Sequence, residues 1–195
     1  MSKPLSASID DVLLSSLTTI RQYREWEVQR KSTEIAQFVH QRFDERFLAP
    51  FEIMPGSLKS GFAQMAVCCL MVETLESFYK GWKGTGGVKG EDVFESFFTR
   101  VPHFSEFQGS GKDFYVHIRC GILHQAETTG GWLVRRSGVL IDKPNKVINA
   151  NKFMKSLSLY LDDYCQELTS ARWNDVIWRK CRRKMNAIIE HCGAR

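Results

Sequence analysis

Apolar residues recur at three- and four-residue steps along most of the chain, with clusters of Gly, Pro, Ser and Asn between the runs. That is the signature of amphipathic helices joined by turns. Ser8 stands as an N-cap before Ile9, Val12, Leu13, Leu17 and Ile20, and the stripe continues through Trp26, Ile35, Phe38, Val39, Phe43 and Phe47. The spacing predicts one long helix or two coaxial ones, interrupted near Gln29 to Ser32 and ending before Pro50. A connector over 51–60 leads to a second helix from Phe62 to Trp82, capped by Ser57 or Ser60. Between Phe62 and Leu75 only Gln64, Glu73 and Thr74 are strongly polar, so this helix should be buried on most faces and central.

Glu91 to Val101 reads as a short amphipathic helix with Val93, Phe94, Phe97 and Phe98 inward, stopped by Pro102. Lys112 to Glu127 is the next, apolar on almost every side and ended by Thr128-Thr129-Gly130-Gly131. Trp132 to Ile141, with Ser137-Gly138 at its centre, predicts a β-hairpin. Asn149 or Asn151 caps a helix running through Phe153, Leu157, Tyr160, Leu161 and Tyr164 to about Leu168. In the last helix, Ala171 to Cys192, the residues Trp173, Val176, Ile177, Met185, Ile188 and Ile189 pack, while Arg179, Lys180, Arg182, Arg183 and Lys184 face out. The expected fold is therefore all-α, a bundle of five to six helices with a small β-hairpin inserted after the Lys112 helix. Its 195 residues suit one domain, divided into an N-terminal helical region (1–50), a core bundle (60–170) and a C-terminal helix (171–195).

Two glycine-rich stretches invite a phosphate-loop reading and fail it. Gly81 to Gly90 follows a helix where such a loop needs a strand, and Gly109-Ser110-Gly111-Lys112 is followed by Asp113 where a magnesium-binding hydroxyl is required. Both are read as turns. No apolar run reaches the roughly 20 residues of a bilayer span, and Met1 to Ser6 leads to Asp10 and Asp11 instead of an apolar signal core. A cytoplasmic protein without a membrane anchor is expected. Six cysteines without two-residue-spaced pairs fit that compartment as free thiols. The net charge of +5 is concentrated at the C-terminal end, where seven Lys and Arg between 171 and 195 meet only Asp175 and Glu190. A basic helix of this kind can follow an RNA backbone, and Arg135 and Arg136 beside Trp132 add charge next to a stacking surface. Arg179, Arg182 and Arg183 complete the RNA-binding candidates, with a solvated helix face as the simpler alternative.

Arg119-Cys120-Gly121-Ile122-Leu123-His124 carries the candidate chemistry. On a helix this apolar, an arginine and a histidine should look into a cleft or an interface, and Gly121 lets another backbone approach closely. Five helical residues rise about 7.5 Å and turn about 140°, so a long arginine can bend towards the imidazole with a phosphodiester between them. The imidazole can exchange protons with a ribose 2′-hydroxyl or a leaving 5′-oxygen, and the guanidinium can hold phosphate oxygens as charge builds. No metal or cofactor is needed for that. The structural alternative pairs Arg119 with an acid such as Glu73 or Glu76 and satisfies the histidine with a carbonyl. His117, Cys120 and His124 share a helical face, but the two histidines lie about 10.5 Å apart along the axis, too far for one zinc ion.

The Arg119-to-His124 motif, together with Gln125-Ala126-Glu127 leading to Gly130-Gly131-Trp132 and with Ile148-Asn149-Ala150-Asn151-Lys152-Phe153, resembles the arginine, four residues, histidine signature of the HEPN superfamily. The resemblance covers about residues 60–170. It implies a helical bundle that dimerises with both motifs in one cleft, and a metal-independent ribonuclease of a toxin, phage-defence or RNA-processing system, with Arg119 and His124 catalytic and RNA as substrate. A protein antitoxin or regulator would be a further partner. Cys120 stands where active members commonly have a polar residue, which favours as the alternative a non-catalytic HEPN-like module binding RNA, a nucleotide or a protein. Ala126 stands where one toxin branch carries a modifiable tyrosine.

Overall fold

A computed structural model describes residues 8–55 and 57–193; the Met1-to-Ser6 segment, Gly56 and Arg195 lie outside them. The described chain is predominantly helical with one small three-stranded sheet. The N-terminal stripe does not continue as a helix. Ser8 does cap, accepting from the Asp10 amide at 3.3 Å, but only a single 3₁₀ turn, Ile9–Asp11. The Ser15 hydroxyl then accepts from the Thr18 amide at 3.1 Å, a local bond that competes with helix, and Leu13 and Leu17 are left exposed. Thr19 makes the effective cap, accepting from Gln22 at the start of α1 (Ile20–Val28).

The interruption near Gln29 is present, and α2 follows over 32–52, as Ser32–Phe43, a π-helical turn Asp44–Leu48 and a last turn Ala49–Glu52. It therefore runs past Pro50 instead of stopping before it. The π turn shifts the hydrogen-bond register just ahead of the proline, which needs no N–H at the start of the new turn. The next helices are α3 (Gly61–Lys80), α4 (Gly90–Arg100), α5 over 111–125, α6 (Ala150–Ser170) and α7 (Val176–Gly193). Asn149 caps α6 through the Lys152 amide at 3.1 Å. Neither Ser60 nor another side chain caps α3, and α7 starts at Val176 because residues 171–175 form a turn holding Trp173.

The hairpin is re-wired. β1 (Leu133–Arg135) does not pair with β2 (Ile141–Asp142); both flank β3 (Val147–Asn149), β1 parallel with Leu133 opposite Val147, and β2 antiparallel with Ile141 opposite Ile148. The tight turn is at 143–146, where the Asp142 carboxylate accepts from the Asn145 amide at 3.1 Å, rather than at Ser137-Gly138.

α3 is the central element, packed against α4, α5, α6, α7 and β1. By length and composition it does reach the dimensions of a bilayer span, which corrects the reading that no run of the chain does, but its apolar residues from Met65 to Phe78 are covered by those neighbours. Glu76 on this helix is completely buried. A carboxylate there persists only if paired and hydrogen-bonded. Arg100 of α4 supplies Nη2 at 2.6 Å, Ser96 donates its hydroxyl at 2.7 Å, and the other arm of Arg100 donates to the Tyr160 hydroxyl of α6 at 2.6 Å. Beside this network lies a phenylalanine cluster, Phe94, Phe97, Phe98, Phe104, Phe107, Phe114 and Phe153, in which Phe114 of α5 stacks on Phe153 of α6 at 5.3 Å. Burying each such ring stabilises by roughly 1.5–3 kcal/mol, and the cluster anchors the first turn of α5. Replacing Arg100 by Ala leaves the Glu76 charge without its main partner, and is expected to cost about 3 kcal/mol in denaturant unfolding, against less than about 1 kcal/mol for the exposed pair-breaking change Arg21→Ala.

Candidate functional site

α5 begins where Glu95 of α4 reaches over to it. The carboxylate accepts from the Gly109 amide at 2.8 Å and the Gly111 amide at 2.7 Å, so an acid from a neighbouring helix satisfies an orphan donor at the α5 start. After Gly111–Asp113 the helix widens into a π-helical stretch, Phe114–Cys120, before returning to α geometry over Gly121–Gln125. Such stretches are rare and concentrate at functional sites.

The helix is less apolar around its circumference than its sequence suggests. Phe114, Ile118 and Gly121 are buried, whereas Lys112, Asp113, Val116, Leu123, His124 and Gln125 are exposed. Arg119 and His124 are accordingly placed differently. The Arg119 Nε donates to Glu73 Oε1 of α3 at 2.9 Å, with 21% of the arginine side chain exposed, and its guanidinium lies 5.5 Å from the centre of the Tyr115 ring. Burial works against the charge of Arg119, but the hydrogen bond and charge of Glu73 outweigh it and hold the guanidinium more firmly protonated than usual. Of the two acids weighed for Arg119, Glu73 takes it, because Glu76 is committed to Arg100. His124 is exposed and makes no side-chain hydrogen bond or ion pair among the described residues. It is not held by a backbone carbonyl.

Cys120 and Tyr115 sit against the same arginine. Burial, then a hydrogen bond with Cys120, raise the Tyr115 hydroxyl above its ordinary range, and burial raises the Cys69 thiol behind them, with Glu73 adding to the effect. Cys68 and Cys69 are the buried thiols that their place in an apolar helix predicts, whereas Tyr115 does not stand out from sequence, although a tyrosine one helical turn before Arg119 is a signal that helical spacing offers.

Gly121 does admit a close backbone, but it belongs to the chain itself. A Cβ there would stand 2.6 Å from the Glu127 carbonyl oxygen and 3.3 Å from Thr128 and Thr129. Ala126, left-handed at φ 54°, turns the chain back. Thr129 then donates its amide to the His117 carbonyl at 3.0 Å, and its hydroxyl lies 2.9 Å from His117 Nδ1. His117 is thus spent on this return. Gly130, at φ 62°, is needed twice over, since a Cβ would fall 2.6 Å from the His117 ring.

The RNA-binding candidates divide. Arg135, Arg179 and Arg183 are exposed, and Arg179 donates to the Asn174 carbonyl at 2.9 Å. Arg136 ties β1 to the Leu58 carbonyl. Arg182 is turned in, 4.4 Å over the Trp173 ring and donating to the Trp173 carbonyl at 2.8 Å, with Glu27 at 3.9 Å. Lys184 is half-buried as well and bonds the Lys83 carbonyl. The whole row of cations therefore does not face out, because helical spacing also points some of them at α1, α2 and the loop after α3. Trp132 is buried, 7% exposed, which removes it as a stacking surface for a base.

No family model, curated protein or solved structure matches the chain.

The link from Glu95 to α5 carries a pH dependence. Burial would raise this carboxyl, but the Gly109 and Gly111 amides override it and hold it below the usual carboxylate range. A depressed folded value means the stabilisation is present above the unfolded value, about 4.3, and is lost as pH falls through the folded one. Glu95→Gln should lower stability by roughly 0.5–1 kcal/mol at neutral pH. It should also flatten the acid limb of unfolding, with hydrogen exchange at Gly109 and Gly111 faster than in the wild type at pH 7 and equal to it in strong acid.

Proposed function

We propose that this protein is a metal-independent RNA endonuclease of the HEPN type, with Arg119 and His124 as its catalytic pair. One observation carries the reading. His124 is exposed and unbonded at the end of α5, while Arg119, five residues earlier on a π-widened helix, is braced by Glu73 at 2.9 Å and still partly exposed. A guanidinium held by its Nε keeps its terminal N–H groups for phosphate oxygens. In this reading His124 manages the protons of the ribose 2′-hydroxyl and the leaving 5′-oxygen, and Arg119 stabilises the crowded phosphate. Role in a toxin or phage-defence system, with an antitoxin or regulatory protein as partner, belongs to the same proposal, as does a cytoplasmic location. Arg135, Arg179 and Arg183 are the exposed cations available to the RNA backbone.

A second reading is favoured by the same ion pair. Glu73 already neutralises Arg119, and Cys120 beside it is a weak hydrogen-bonding group, which suits a non-catalytic module that binds RNA, a nucleotide or a protein. Incubation of the purified chain with total RNA in EDTA separates the two. The nuclease reading expects cleavage to 2′,3′-cyclic phosphate and 5′-hydroxyl ends, a loss of 10²-fold or more in Arg119→Ala and in His124→Ala, and no cutting at a 2′-deoxy scissile ribose. Cleavage by both variants at the wild-type rate, or 5′-phosphate products, would sink it.

The proposal includes a two-fold dimer through α5. Val116 and Leu123, 41% and 40% exposed, are the exposed large apolar residues of the helix that carries His124. A second copy would cover both and bring two motifs together. Light scattering at micromolar concentration should give twice the chain mass, and Leu123→Lys should give the monomer with unchanged circular dichroism; a monomeric wild type would refute the dimer.

A further inference from the structure

Three cations from two helices meet at a cavity that neither Arg119 nor His124 lines. Arg42 and Arg46 of α2 and Lys184 of α7 stand around about 250 Å³ of space, with Phe43, Phe47, Thr74, Phe78 and Ile188 as the other walls. Among the described residues, no carboxylate lines it. The acids nearest in the chain are Asp44 and Glu45, and Glu45 is turned away to accept the Ser16 amide at 3.0 Å. Arg42 and Arg46 both donate to the single Leu14 carbonyl, and Lys184 to the Lys83 carbonyl at 3.2 Å. Each of the three therefore retains donors beyond its structural bond. Burial, then the neighbouring Arg46, push Arg42 down to about 10, and burial, then Arg42, push Lys184 down. Like charges are thus gathered in a partly desolvated place, and Glu45, whose charge acts on Arg42 and Arg46, stands outside the cavity wall. With one acid against three cations, an anion is the further counter-charge.

We propose that the cavity between α2, α3 and α7 binds a small phosphomonoester, its phosphate held by Arg42, Arg46 and Lys184 and its organic part laid against Phe47 and Ile188. Three cations match a phosphate dianion better than a single carboxylate, and guanidinium forks address two of its oxygens at once. Phe47, half-buried and backed by Phe43 at 5.7 Å, and the half-buried Ile188 offer an apolar surface to a base or similar planar group. The volume lies just under the roughly 300–1,000 Å³ of drug-sized sites, which suits a monomer and not a strand. This site does not depend on the nuclease reading, since no residue is shared with it.

Calorimetry on the full chain at low salt, with AMP, inorganic phosphate and adenosine as probes, tests it. AMP is expected to bind one to one and inorganic phosphate more weakly in competition with it, while adenosine binds at least tenfold more weakly than AMP. Lys184→Gln and Arg46→Gln should each weaken AMP at least tenfold, and Arg172→Gln, exposed just before α7 and outside the cavity, should stay within twofold. Thermal unfolding of each variant reports that it is folded; should Arg46→Gln fail to fold, Lys184→Gln alone decides. Absence of AMP binding at millimolar concentration would overturn the proposal. So would adenosine binding as tightly as AMP, or an equal loss in Arg172→Gln, which would mark a diffuse charge effect.

Discussion

A carboxylate on the innermost helix of a small protein must be answered by a cation from another element, and that constraint organises this molecule. Glu76 is fully buried on α3 and is answered by Arg100, whose second arm reaches Tyr160. One side chain thus fixes α4 against both α3 and α6. Glu73 lies three residues earlier on the same helix, hence on nearly the same face, and is answered by Arg119 from α5. The two pairs act as a ladder that sets where α4 and α5 cross the central helix. The phenylalanine cluster fills the space between them.

That ladder also explains why Arg119 sits where it does without being lost to the interior. Glu73 is about one-sixth exposed whereas Glu76 is not exposed at all, so the outer rung leaves its arginine at the surface and the inner rung does not. The π-helical stretch of α5 brings Tyr115 and Cys120 to the same guanidinium. His124 falls beyond it and is exposed, as are Val116 and Leu123. A half-buried ion pair and an exposed imidazole on one helix are therefore consequences of the same packing decision.

The positive charge of the chain is divided by packing in a similar way. Helical spacing sends Arg179 and Arg183 to solvent, Arg182 onto Trp173, and Lys184 towards Arg42 and Arg46. A row of cations that reads as one basic face becomes a surface pair, a cation–aromatic contact and the wall of a cavity.

Much of the helical architecture was legible in the sequence. Helices close to 61–80, 90–100, 111–125 and 150–170, the interruption after Val28 and the Asn149 cap follow from a 3.6-residue period and local punctuation, which act within a few residues and need no partner. The centrality of α3 was legible because too few polar residues interrupt it. The motif residues were visible as types at a spacing, together with the two acids available to Arg119. Tertiary structure alone decided the rest. β1 chose β3 over the strand nearer in sequence; Glu73 was left to Arg119 because Glu76 had gone to Arg100; and Arg42 and Arg46 met Lys184, more than a hundred residues further along the chain, at one cavity. These are choices among partners distant in sequence, settled by the burial of charge and the closing of space, and a local period carries no information about either.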